Sequence, residues 1–95
     1  MTNLRALARD QLCYVRLPDI CSGDRQTTVL AHVRLIGVSG MGMKAPDLLA
    51  CPACSRCHDA IDRRANMDLD RDYVRLAHYE GVLRWQCKLI QEGKL

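Results

Sequence analysis

A small α+β fold is predicted by three observations: the length of the chain, one aliphatic segment in its first half, and helical patterns near both ends. Ninety-five residues suit a single domain, so residues 1–95 are expected to fold as one unit. Such a short chain buries a limited core, and the lack of phenylalanine together with one tryptophan makes that core aliphatic. A further staple, such as a metal ion, is therefore expected on physical grounds.

The first half of the chain predicts one helix and one strand. Residues 3–12 place leucines on one helical face, with Thr2 or Asn3 available as the cap. Residues 13–17 form a short extended run that ends at a proline. Residues 27–36 are rich in β-branched and aliphatic side chains and predict a strand.

The second half predicts a glycine-punctuated loop followed by two helices. Gly37, Gly40 and Gly42 mark the loop, which lacks the ending of a phosphate-binding P-loop. A helix is predicted from about residue 54 to residue 64, and another of about twenty residues ends near Gly93. We expect the apolar side chains of this last helix to pack against the core, a dimer surface being the alternative. They are Tyr73, Leu76, Ala77, Tyr79, Val82, Leu83, Cys87, Leu89 and Ile90.

The cysteines carry the clearest chemical signal. Cys54 and Cys57 have the spacing of a zinc knuckle, and Cys13 and Cys21, about forty residues upstream, can close a tetrahedron around the same ion. Disulfides are the alternative for six cysteines. The charged N-terminus does not resemble a signal peptide, so we expect a cytoplasmic protein with reduced thiols, which favours metal binding.

The remaining cysteines allow other interpretations. Cys51 extends the knuckle to a Cys-x2-Cys-x2-Cys run, which begins like a ferredoxin motif, but Ile61 and Asp62 stand where that motif would continue. Cys51 could therefore replace one zinc ligand or be a buried spectator. Cys87 is expected in the core.

Charge and hydropathy limit the partners. No segment is apolar enough to span a membrane, and a net charge of +3 permits contact with a polyanion without requiring it. Most of the basic residues are expected to be a solvated surface. Arg56, Arg63 and Arg64 lie near the knuckle in sequence and are the candidates for phosphate contacts.

A second site is predicted beside the cysteines. His58 and Asp62 are one helical turn apart, so both can reach one divalent cation. His32, on the predicted strand, could lie opposite them and take a proton from water while the cation stabilises the charge on a phosphodiester. The alternatives are a hydrogen-bonded core histidine and an ordinary surface pair.

The chain resembles a known family at this point. A strand with a histidine, a loop, and Cys-x2-Cys-His opening a helix are similar to the HNH, or His-Me finger, nucleases with a ββα-metal core. Nearly end to end, the chain resembles the YbcO-like family of proposed nucleases from lambdoid prophages. The segments that carry the resemblance are 30–35, 46–48, 53–59 and 61–64.

The resemblance implies a role for each matching residue. His32 matches the general base, His58 a ligand of the catalytic metal, and Asp62 the last position of the motif, where histidine or asparagine is common. Asp47 lies roughly where the central asparagine supports the loop. Ala31 stands where many zinc-bearing members carry a metal-ligating aspartate.

The sequence thus predicts an HNH-like endonuclease with structural Zn²⁺ and catalytic Mg²⁺ or Mn²⁺, acting on nucleic acid and more specifically on DNA. One alternative is a non-catalytic zinc module that binds nucleic acid or a phage protein. Another is a structural zinc domain that acts through its last helix. Substrate form and oligomeric state are left open by the sequence.

Overall fold

The computed structural model describes residues 3–35, 37–39, 44–66 and 68–94. The expectations for Thr2, Ile36, Gly40 and Gly42 lie outside these residues. The order of helices and strands gives a small α+β arrangement of a two-stranded sheet and three α-helices within the described part of the chain. These elements are α1 (Leu4–Ala8), β1 (Val29–His32), β2 (Ala50–Ala53), α2 (Ser55–Ile61) and α3 (Arg71–Gln91).

The first helix is shorter than its leucine pattern predicts. Asn3 caps α1 as expected, since its side chain accepts a hydrogen bond from the Ala6 N–H at 3.1 Å. The helix ends at Ala8, and Asp10 has a left-handed φ of 61°. A left-handed residue cannot continue a right-handed helix, so the chain turns before residue 12.

The extended run predicted at residues 13–17 was wrong. Arg16 has a left-handed φ of 54°, which bends the segment into a loop. Within that loop, the Tyr14 N–H donates to the Pro52 carbonyl at 2.8 Å. The loop is therefore fastened to β2, and this places Cys13 beside the sheet.

The two strands pair antiparallel, with Ala31 opposite Cys51 and His32 opposite Ala50. The predicted strand is confirmed only at its centre, because residues 25–27 form a 3₁₀ turn. The second strand leads directly into α2, whose N-cap is Cys54. His32 consequently ends one strand while Cys54 begins the helix that follows the other.

The long helix α3 confirms its predicted ends. Asp70 caps it by accepting from the Tyr73 N–H at 3.1 Å, and Gly93 has the left-handed φ of 68° common just beyond helices. The expected packing face was partly wrong, because Leu76, Leu83 and Ile90 are about 60% exposed. The buried face consists of Val74, His78, Gly81, Val82, Trp85 and Leu89.

Close packing against the 13–17 loop explains which face of α3 is buried. The rings of Trp85 and Tyr14 meet edge to face with centroids 5.3 Å apart. At Gly81, an added Cβ would lie 2.8 Å from the Tyr14 carbonyl oxygen and 3.1 Å from the Cys51 sulfur. A helix position without a side chain is thus required there. Apolar side chains lie on both the buried and the exposed face of α3, so the periodicity of the sequence alone could not identify the buried face.

None of the helices formed by the described residues is long and apolar enough to cross a membrane.

Candidate functional site

Four cysteines meet at one point, as their spacing predicts. The sulfurs of Cys13, Cys21, Cys54 and Cys57 all lie within 4.8 Å of one another. The loop after α1 supplies the first two, and the start of α2 supplies the others. Cys13, Cys54 and Cys57 are buried and Cys21 is half-buried, so the cluster is largely shielded from solvent.

The dimensions of this cysteine cluster fit a zinc ion. A tetrahedron with Zn–S bonds of about 2.3 Å separates its sulfurs by about 3.8 Å. The sulfurs of Cys54 and Cys21 are 3.8 Å apart. Such a set of four thiols is compatible with a closed, structural zinc site, which leaves no position for a substrate.

Backbone donors support negative charge on two of the sulfurs. The Arg16 N–H donates to the Cys13 sulfur at 3.5 Å, and the Cys57 N–H donates to the Cys54 sulfur at 3.5 Å. A hydrogen bond from the Cys57 thiol further lowers the pKa of Cys13 and raises that of Cys57. Cys13 and Cys54 thus each accept an N–H from the residue three positions later, which favours the thiolate form that a metal binds.

The other two cysteines lie outside the cluster. Cys51 is fully buried beside Gly81, and burial raises the pKa of its thiol to about 12. It is therefore a protonated core residue, in agreement with the spectator interpretation. The expectation that Cys87 is buried was wrong: this cysteine is exposed on α3.

His32 is held by an acidic partner. Its Nε2 lies 2.7 Å from Asp47 Oδ1, and its side chain is 14% exposed. The His32 hydrogen bond lowers the pKa of Asp47, and the Arg5 guanidinium, 3.4 Å from the same oxygen, acts in the same direction. Asp47 is therefore ionised at neutral pH, and an ionised carboxylate can only accept, so His32 donates its Nε2–H.

His58 and Asp62 form a second pair on α2 and its C-cap. His58 Nε2 lies 3.4 Å from Asp62 Oδ2, as the spacing of four residues predicts. Two arginines also contact this carboxylate, Arg34 at 3.0 Å and Arg64 at 3.5 Å. The Asp62 side chain is only 9% exposed, and the two arginines balance its charge.

No third acidic, cysteine or histidine ligand joins this pair closely. Among residues 3–35, 37–39, 44–66 and 68–94, the cysteine cluster is the group of three or more such side chains compact enough to hold an ion. His32 and His58 each have their own carboxylate partner. The structure therefore arranges the predicted second site as two separate pairs.

A third histidine, missed by the sequence reasoning, connects the two pairs. His78 on α3 is 3% exposed, and its Nε2 lies 2.9 Å from the carbonyl oxygen of Ala31, the residue before His32. Burial lowers the pKa of His78, and His58, Asp62 and His32 all act on it electrostatically. The sequence did carry a signal that His78 is buried: it lies four residues from both Val74 and Val82, and residues at this spacing share one face of a helix.

The predicted phosphate contacts occupy different environments. Arg56 is exposed on α2, and Arg64 contacts Asp59 at 3.7 Å as well as Asp62. Arg63 has a left-handed φ of 59° and donates from Nη1 to the Leu69 carbonyl at 3.1 Å. Of these three arginines, Arg63 and Arg64 have the contacts just given, whereas the Arg56 side chain is exposed on the helix.

Comparison with known proteins gives consistent matches over almost the whole chain. The family model described as "Putative nuclease YbcO" matches residues 2–94. Two relatives, "Putative nuclease YbcO" of Escherichia coli (strain K12) and "Putative nuclease ybcO" of Enterobacteria phage 82, are each 47% identical over 93 residues. Those alignments cover 98% of this chain and 96% of each relative.

A solved structure shows the same architecture. It is described as "Structure of a putative bacteriophage protein from Escherichia coli str. K-12 substr. MG1655", and it superposes with a TM-score of 0.80 at 41% sequence identity. The superposition covers 96% of this chain and 100% of the other. By sequence and by structure, the chain belongs to the YbcO family of phage-associated proteins named as nucleases.

Proposed function

We propose that this chain is a metal-dependent, HNH-type endonuclease that hydrolyses phosphodiester bonds in DNA as a single domain. The names of its relatives support action on nucleic acid. The observation that carries the proposal is the His32–Asp47 pair at 2.7 Å, which lies at the end of β1 in a strand–strand–helix unit. His58 projects from the helix of that unit, and this arrangement supports the roles that the resemblance to HNH nucleases implies for the two histidines.

The cysteine cluster positions the catalytic elements. Cys54 and Cys57 fix the first turn of α2, directly before His58, while Cys13 belongs to the loop bonded to β2 through Tyr14. Zinc bound by the four thiolates would tie the loop, the sheet and the helix together. In this proposal its role is purely structural.

His32 acts as the general base. Because its Nε2–H donates to the ionised Asp47, its Nδ1 carries the lone pair and can accept a proton from water. The carboxylate fixes the tautomer and stabilises the imidazolium that forms, a role acidic partners play in other hydrolases. The half-buried position of His32 leaves an edge of the ring open to solvent.

His58 and Asp62 would hold a catalytic Mg²⁺ or Mn²⁺. Their donor atoms are 3.4 Å apart, close enough to coordinate one ion together. Two protein ligands are sufficient for such ions, which keep several waters, and imidazole suits Mn²⁺ better than Mg²⁺. When bound, the cation would stabilise the negative charge that builds on the phosphodiester. The ion pairs of Arg34 and Arg64 with Asp62 would then weaken.

The three predicted arginines contact the phosphates beside the cleaved bond. Arg56 is exposed on the same helix as His58, and Arg64 lies at the end of that helix. Contacts of this kind orient a nucleic acid without reading its sequence. Arg63 follows Asp62 in sequence and would contribute from the other side of that residue.

A cleavage assay tests the proposal. Zinc-loaded protein is incubated with supercoiled plasmid or a branched junction and with Mg²⁺, Mn²⁺ or no added cation, and His32→Ala is assayed in parallel. We expect cation-dependent cleavage that falls by about 10²- to 10⁴-fold in His32→Ala, the usual contribution of a general base. Cys87→Ser, at an exposed position on α3, is the matched control and should cut at the wild-type rate.

Wild-type cleavage by His32→Ala would refute the assignment of the base, and absence of cleavage by folded, zinc-loaded protein would refute the nuclease. The second candidate, a zinc module that binds nucleic acid or a phage protein without cutting, would then be preferred. Two observations favour it: Asp62 is already neutralised by Arg34 and Arg64, and Ala31 offers no carboxylate. Such a module should bind DNA with a steep salt dependence if phosphates are its contacts, and weakly at any salt if its partner is a protein.

A further inference from the structure

A pocket of about 370 Å³ opens beside the His58–Asp62 pair, and we refer to it as the arginine pocket. The chain leaving β1, the end of α2 and the first turns of α3 form its walls. Its charged lining residues are Arg34, Arg63, Arg71 and Arg75. None of the described lining residues is acidic, and although Arg34 also contacts the nearly buried Asp62, the lining presents guanidinium groups to a ligand.

The lining also contains an apolar wall. Leu35, Ile61 and Val74 come from the three different elements and face the same cavity. Contact with a phosphate alone requires only charge and hydrogen-bond donors, whereas an apolar wall stabilises a flat, weakly polar group. The combination of arginines with aliphatic side chains therefore indicates a ligand that is anionic at one end and apolar at the other.

An aromatic ring completes this surface. Tyr79 is half-buried in the lining, and the Arg75 guanidinium lies 5.7 Å from the centroid of its ring. Arg75 also donates to the Tyr79 hydroxyl at 3.2 Å, so the ring is held in place. A fixed aromatic ring next to arginines is the arrangement on which single-stranded nucleic acids stack their bases.

The pocket is contiguous with the proposed catalytic site. Ile61 and Arg63 flank Asp62 in sequence, and Arg34 contacts the Asp62 carboxylate at 3.0 Å. His78 lines the pocket and contacts the Ala31 carbonyl, directly before His32. A group bound in the pocket would therefore lie next to the bond to be cleaved.

We propose that the arginine pocket binds one unpaired nucleotide of the nucleic-acid substrate, with its base against the apolar wall and Tyr79 and its phosphates on the arginines. This inference rests on the proposed nuclease function and specifies its substrate class. A volume of about 370 Å³ accommodates a small molecule but not a duplex. A nucleotide that is already unpaired enters without the cost of unstacking, so the enzyme selects sites with a single-stranded or extruded nucleotide over a continuous duplex.

Binding measured without cleavage tests this selection. Fluorescence anisotropy compares a labelled duplex with the same duplex carrying one unpaired nucleotide, using zinc-loaded His32→Ala protein and no added Mg²⁺ or Mn²⁺. We expect the duplex with the unpaired nucleotide to bind about tenfold more tightly, within the range that one stacked base contributes. In the double variant Arg71→Gln/Arg75→Gln, this preference disappears.

Two further comparisons separate the pocket from general charge. Arg9→Gln/Lys94→Gln removes two exposed positive charges outside the pocket and should weaken both duplexes equally, which keeps the preference. Tyr79→Leu should reduce the preference, whereas Tyr79→Phe should retain it, because only the first removes the aromatic ring. All five positions changed in these variants are exposed or half-exposed, and the zinc content of each variant verifies its folding.

Equal affinity for the two duplexes would overturn the proposal, and so would equal losses in the pocket variant and its charge-matched control. Either result leaves the nuclease intact, because cleavage of plasmid is measured separately. If the protein binds neither duplex and cuts nothing, both the pocket and the nuclease are refuted.

Discussion

The cysteine cluster and the histidine pairs are built in opposite ways. In the cluster, four potential metal ligands converge within 4.8 Å and are largely buried. In the histidine region, His32 and His58 each contact a separate carboxylate, and arginines balance those carboxylates from outside. One region brings together four groups that a cation can bind, whereas in the other each carboxylate is already paired with protein groups.

This difference assigns separate tasks to the two regions. Four thiolates would not remain close together and buried without a cation, so we expect folding and metal binding to be coupled at the cluster. The histidine pairs are satisfied by protein groups alone, so a cation could replace an arginine beside Asp62, and a substrate phosphate could bind the released arginine, without unfolding the chain. In our proposal, the cluster therefore contributes stability and the histidine pairs carry the chemistry.

Loss of the cluster should have the largest effect. We expect Cys57→Ser, or zinc removal by a strong chelator, to unfold the domain, because structural zinc contributes about 10–16 kcal/mol in small peptides and a whole domain is stable by about 5–15 kcal/mol. Circular dichroism and zinc analysis measure the outcome. Cys87→Ser is the control and should keep both its zinc and its fold. A Cys57→Ser protein that is folded without zinc would show that the cluster is not needed for stability.

A smaller loss of stability is expected at Gly81, where α3 packs against the loop that carries Cys13. Gly81→Ala introduces a Cβ 2.8 Å from the Tyr14 carbonyl oxygen, and Tyr14 follows Cys13. Alanine favours the helix by up to about 1 kcal/mol, but overpacking against backbone typically costs about 1–3 kcal/mol. We therefore expect net destabilisation, measured by urea unfolding. A more stable Gly81→Ala protein would show that the 13–17 loop can move away from α3.

The smallest expected effect on stability comes from His78 and depends on pH. Because burial lowers the pKa of His78, the unfolded chain takes up a proton below its ordinary pKa of about 6.5 while the folded chain does not. Stability should therefore fall as the pH decreases from about 6.5 toward the lowered value. His78→Gln removes this contribution, so its melting temperature should fall less than that of the wild type between pH 7.5 and 5.5.

The wild type and His78→Gln have the same cysteines, so any loss of zinc at low pH should affect the two proteins equally. The difference between their pH profiles consequently isolates His78. Identical profiles would mean that His78 is protonated in the folded protein, in which case it could not be the buried neutral link between the two pairs.

The sequence predicted the cluster better than the histidine region for a physical reason. Two cysteines separated by two residues are typical of a metal site, so the sequence alone indicated Cys54 and Cys57, with Cys13 and Cys21 as their partners. The acidic partner of His32 lies 15 residues away across a loop. The resemblance placed Asp47 in that loop, but no local pattern reveals the contact.

The same limit applies to α3. Its ends were predictable because Asp70 and Gly93 act locally. Its buried face was not, because Gly81 and His78 are inside while Leu83 is outside, contrary to their hydropathy. Contact with the 13–17 loop decided the orientation, and such contacts depend on tertiary structure that no window of sequence contains.

Bound zinc and single-turnover DNA cleavage, measured on the same preparations of wild type, Cys57→Ser and His32→Ala, test the division of tasks most directly. We expect His32→Ala to keep the wild-type zinc content and melting temperature while losing cleavage by about 10²-fold or more. Cys57→Ser should lose zinc, fold and cleavage together. A His32→Ala protein that cuts like the wild type, or a Cys57→Ser protein that cuts without zinc, would contradict the account.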